Sequence, residues 1–79
     1  MAEYIATFHT HLAALKTYRT LTQMQLPARM APVPRRLSSS CGVCVMYTAE
    51  QPFLDAMDKD VEAVYQQDGS KDVRLLERD

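Results

Sequence analysis

Cysteine is scarce in this 79-residue chain: there are two, Cys41 and Cys44. Two are too few for the disulfide framework that holds a small secreted domain together. An excess of either charge is missing as well. The net charge of −1 removes the basic face expected of a nucleic-acid binder. No apolar run approaches the roughly 20 residues needed to span a bilayer, so no membrane association is expected. The N-terminus has no basic segment followed by an apolar core and a small-residue cleavage site, so no secretory signal is expected either. The cytoplasm, with both thiols reduced, is the expected compartment. Glycine and proline, at two and four residues, stay below the levels that mark disorder. What remains is one small domain. A chain of this size buries only about 60% of its unfolded surface, so its core is thin.

Against those absences the elements are readable. EYIATFH alternates, with Tyr4, Ala6 and Phe8 on one side and Ile5 and Thr7 on the other, which predicts a strand. Thr10 fits an N-cap, and from residue 11 to about 25 the period becomes helical, with Ala14, Leu15, Tyr18, Leu21 and Met24 on one face. Pro27 marks the end of that region. Residues 28–33 form a short apolar stretch that Pro32 and Pro34 confine to a sheet edge. Residues 42–47 read as a further strand, with Val43, Val45 and Tyr47 opposite Cys44 and Met46.

Thr48, Glu50 and Pro52 resemble a helix start, with Phe53, Leu54 and Met57 as its buried side. VEAVYQQ fits either an extension of that helix or a strand, and its β-branched and aromatic content favours the strand. Asp68-Gly69 makes a turn, and the remainder is a charged tail with one apolar patch from Val73 to Leu76. The order strand, helix, strand, strand, helix, strand predicts an α+β, ferredoxin-like split βαβ fold. It has four antiparallel strands with two helices on one face. The domain is expected over residues 1–67, with 68–79 as a charged C-terminal extension. The expected core comprises Tyr4, Ala6, Phe8, Leu15, Tyr18, Leu21, Val43, Val45, Leu54 and Met57.

The candidate chemistry centres on RRLSSSCGVCVMY, where Arg35, Arg36 and three serines precede Cys41 and Gly42. With the strand YIATF, the helix pattern AALKTYRTL and the segment PARMAPVPRRLSSSCG, the chain resembles the small bacterial Se/S carrier protein-like domain. The specific part is P-V-P-R followed by S-S-C-G, here Pro32 to Arg35 and then Ser39 to Gly42. The resemblance covers Tyr4 to about Gln67. Cys44 departs from it, standing where an aliphatic residue is expected, and the tail is extra. The resemblance implies a sulfur or selenium carrier that holds a persulfide or selenopersulfide on Cys41. Its partners would be donor and acceptor proteins, and it would be a carrier more than an enzyme, with no cofactor.

A carrier thiol works as a thiolate. The predicted topology puts Cys41 beside the N-terminus of the first helix, whose free amides favour an anion. Arg35 and Arg36 would add positive charge, His9 and His11 a donor or a proton acceptor, and Ser40 with its neighbours hydroxyls. Gly42 would let the backbone approach a bound group.

Other readings stay open. C-G-V-C has the spacing of a dithiol redox pair, yet residues three apart on a strand lie about 10 Å apart. That exceeds the roughly 7 Å limit between disulfide α-carbons, unless a turn at Gly42 brings the two together. His9, His11, Cys41 and Cys44 form a candidate Cys2His2 metal set. A non-catalytic interaction domain, and a homodimer through an uncovered sheet face, are also compatible with the sequence. Cys44 itself is expected to be packing within its strand.

Overall fold

Strand β1, Ala2–Phe8, is buried on both of its sides, and the rest of the fold is organised around that fact. In the computed structural model, which describes residues 1–78, β1 is the central strand of a five-stranded sheet. It is followed by α1 (His11–Gln23), β2 (Ala28–Pro32), β3 (Val43–Ala49), a single 3-10 turn (Leu54–Ala56), β4 (Val61–Asp68) and β5 (Lys71–Glu77). The order across the sheet is β2-β3-β1-β4-β5, and every neighbouring pair is antiparallel. The third strand therefore lies beside the first, and the proline-marked β2 takes one edge, as the sequence predicts.

Two expectations are corrected. Among the described residues the second helix is absent, and a 3-10 turn stands in its place. Phe53 is left-handed, with φ of 51°, and Met57 is extended, so the apolar spacing of Phe53, Leu54 and Met57 never becomes a helical face. Beyond the turn, the Asp58 amide donates to the Thr17 hydroxyl and the Asp60 amide to the Asp58 side chain. Those bonds take donors that a helix would use internally. The second correction is the C-terminal tail, which folds as β5, joined to β4 by a turn with Gly69 at φ of 64°. Among the described residues the fold is thus α+β with one helix and five strands, rather than four strands and two helices.

Thr10 caps α1 as expected, its hydroxyl accepting from the Ala13 amide at 3.1 Å. The helix lies over β2, β3 and β1, and its buried residues are Ala13, Ala14, Thr17 and Leu21. That stripe is rotated from the predicted one. Leu15 and Tyr18 are half-buried, and Met24 is exposed. Against the helix pack Tyr4, Ala6, Phe8, Val45, Tyr47, Ala49, Val61 and Val64. Full burial of a side chain such as Phe8 or Leu21 contributes about 1.5–3 kcal/mol. Tyr4 and Tyr47 stack with ring centroids 5.2 Å apart, and the Tyr47 hydroxyl donates to the Pro52 carbonyl. Val43, Leu54 and Met57, also expected in the core, are partly buried at its margin.

The opposite face carries Ile5, Thr7 and Cys44, each with no exposed surface, together with Ala63 and Tyr65. No helix covers it. The connection between β2 and β3, residues 33–42, does so instead. Its Arg36 binds Asp72 on β5, at the far edge of the sheet. Asp72 alternates with Arg74, whose guanidinium stands over the Tyr65 ring, and Tyr65 pairs with Ile5. The connection therefore crosses the face that α1 leaves open.

Candidate functional site

The connection is closed at its base. The Val33 amide donates to the Gly42 carbonyl at 3.1 Å, extending the β2–β3 ladder by one bond beyond the Pro32–Val43 pair. Gly42 has φ of 76°, a left-handed conformation that costs glycine nothing. A Cβ there would meet nothing within 4 Å. The glycine therefore serves the backbone turn.

Cys41 sits immediately before that turn. It is half-buried, its apolar side lies against the helix-side core, and its thiol donates to the Val43 carbonyl at 3.4 Å. Cys44, one strand position into β3, is sealed on the other face with its sulfur 3.8 Å from the Pro32 carbonyl. Burial pushes the Cys44 thiol up from its ordinary pKa, Arg29 partly offsetting this and Cys41 adding to it. The two cysteines are free and differ in kind: one is at a loop end, the other in packed interior.

The residues before Cys41 are tied down one by one. Ser39 Oγ donates to the Phe8 carbonyl at 3.2 Å. Ser40 donates twice to Glu62 on β4, from its backbone amide at 3.3 Å and from Oγ at 2.9 Å. His9 completes the cluster, with Nδ1 3.5 Å from Ser40 Oγ and 3.9 Å from the Glu62 carboxylate, and Nε2 3.2 Å from the Arg78 carbonyl. The Arg78 amide in turn donates to the Glu62 carbonyl. The end of β1, the loop, the start of β4 and the end of β5 thus meet at Ser40.

The predicted electrostatic surroundings of Cys41 are distributed differently. Arg36 is committed to Asp72 through a two-point guanidinium–carboxylate contact, which raises its pKa further. Arg35 is exposed and makes no ion pair among the described residues. His11 is exposed at the first position of α1. Among the described residues, no three His, Cys, Asp or Glu side chains gather closely enough to hold a metal ion. The structure does not bring His9, His11, Cys41 and Cys44 together as a ligand set.

Two carboxylates escaped the sequence reading, Glu62 and Asp72. Glu62 had a signal: it is the one charge inside the otherwise uncharged run VEAVYQQ. A single charge in a strand with buried neighbours asks for a partner. Asp72 was hidden in what reads as a solvated tail.

Comparison with known proteins gives one match. A family model described as "Putative Se/S carrier protein-like" matches residues 3–59. No curated protein and no solved structure matches the chain. The matched residues include the whole connection from β2 to β3, and both carboxylates that hold it lie beyond them. No helix among the described residues is long and apolar enough to cross a membrane.

Proposed function

Because the chain belongs to the Se/S carrier protein-like family, we propose that it carries sulfur or selenium on Cys41, as a persulfide or selenopersulfide, and hands it to a partner protein. The observation that supports this is the contrast between the two thiols. Cys41 ends a loop and is partly exposed, whereas Cys44 is fully buried. In the loading step the Cys41 thiolate attacks the terminal sulfur of a donor persulfide. The donor's S–S bond breaks, its thiolate leaves, and a new S–S bond forms on Cys41. Delivery repeats the exchange with an acceptor thiolate attacking the outer sulfur. No net oxidation occurs in either step, so no cofactor is called for. Ser40 and Gly42 flank the thiol in the presenting loop, and Arg35 is an exposed cation on it. Arg36 fastens the loop at a distance.

The dithiol alternative asks Cys44 to reach Cys41 from the sealed face, and its burial opposes that. Exposure to a small persulfide donor followed by intact-mass and peptide analysis tests the proposal. One added sulfur atom is expected on Cys41 in the native protein and in Cys44→Ala, and none in Cys41→Ser. Sulfur on Cys44, or a Cys41–Cys44 disulfide as the main product, would overturn it.

A further inference from the structure

We propose that Glu62 is the latch of the Cys41 loop: its carboxylate controls how far the thiol is exposed, and so protects sulfur held there. The proposal deepens the carrier reading and rests on it only for the cargo. Glu62 receives both donors of Ser40, the residue directly before Cys41, across 22 positions of sequence. One carboxylate fixing an amide and a hydroxyl of the same residue restrains that residue's backbone and its side chain together. The next residue, Cys41, is held with its thiol against the Val43 carbonyl and its carbons against the core. Gly42, on the other side of Cys41, is fixed by the Val33 amide, so Ser40 is the link through which Glu62 holds Cys41 in that half-buried pose. Glu62 lies outside the residues matched to the family, so the latch comes from the C-terminal hairpin of this chain.

Glu62 binds the residue directly before Cys41, so its negative charge is the rival explanation for any change in Cys41 reactivity. The two effects separate by substitution. Glu62→Gln removes the charge and keeps a carbonyl that accepts from Ser40. Glu62→Ala removes both. Ser40→Ala removes the hydroxyl bond alone and leaves the charge. The readout is the rate at which iodoacetamide labels Cys41 in folded protein, with circular dichroism reporting that the fold is intact.

A latch predicts Glu62→Ala labelled several-fold faster than the native protein, Ser40→Ala faster by a smaller factor, and Glu62→Gln close to native. Equal acceleration in Glu62→Ala and Glu62→Gln, with Ser40→Ala unchanged, would assign the effect to charge and overturn the latch. No acceleration in any variant would overturn it too. If Glu62→Ala fails to fold, Glu62→Gln and Ser40→Ala still give opposite orders under the two accounts. After loading with a persulfide donor, loss of the added sulfur to a small thiol should follow the same order. If no variant takes up sulfur, the carrier reading fails, while the labelling order still decides the latch.

Discussion

The two faces of this sheet are covered by different means. On one, α1 buries Phe8, Leu21, Val45, Val61 and Val64 in apolar contact. On the other, a ten-residue connection is held over Ile5, Thr7 and Cys44 by directed bonds from Arg36, Ser39 and Ser40. Apolar packing is non-directional and grows with area. Hydrogen bonds at an exposed margin contribute little net energy but specify position. The helix side supplies stability, and the loop side supplies a defined place for one thiol.

The sharpest way to break the comparison is to damage each face separately. Leu21→Ala removes a fully buried side chain between α1 and the sheet, and should destabilise by about 2–5 kcal/mol. Chemical denaturation measures the loss. While the protein remains folded, the Cys41 labelling rate should stay near native.

Asp72→Asn weakens the contact with Arg36, whose side chain is 50% exposed. The bond lies at a margin of the sheet with its arginine open to solvent, so the denaturation midpoint should move less than for Leu21→Ala. Cys44, however, should label faster in the folded protein, because the loop can lift without global unfolding. If Asp72→Asn destabilises as much as Leu21→Ala, or leaves Cys44 protection untouched, the division of roles between the faces is wrong.

Much of the architecture was legible. The alternation in β1, the Thr10 cap, the proline-marked edge, β3, the closing strand β4 and the Gly69 turn all follow from local patterns that tertiary packing reinforces. The second helix was misread because Phe53, Leu54 and Met57 keep helical spacing, while a left-handed Phe53 and the bonds around Asp58 stop the helix at one turn. The fifth strand was hidden by a bulge. The register shifts between Val64 and Tyr65, so KDVRLLE does not alternate cleanly, and two adjacent leucines read as a patch in a tail.

At the site, the string ending in Ser40-Cys41-Gly42 was legible, and its anchors were not. Arg36 reads as a cation for the thiol but is held by Asp72, and the serines that read as a flexible loop are individually bonded. Long-range partners on β4 and β5 leave no periodic trace in the loop's own sequence.

Residue-resolved alkylation of the native protein at neutral pH tests the central claim most directly, since it compares the two thiols in one sample. Cys41 should be modified in the folded state, and Cys44 only after denaturant exposes it. A Cys41 that stays inert until the protein unfolds, or a Cys44 that reacts alongside it, would contradict the account of one presented thiol and one sealed thiol.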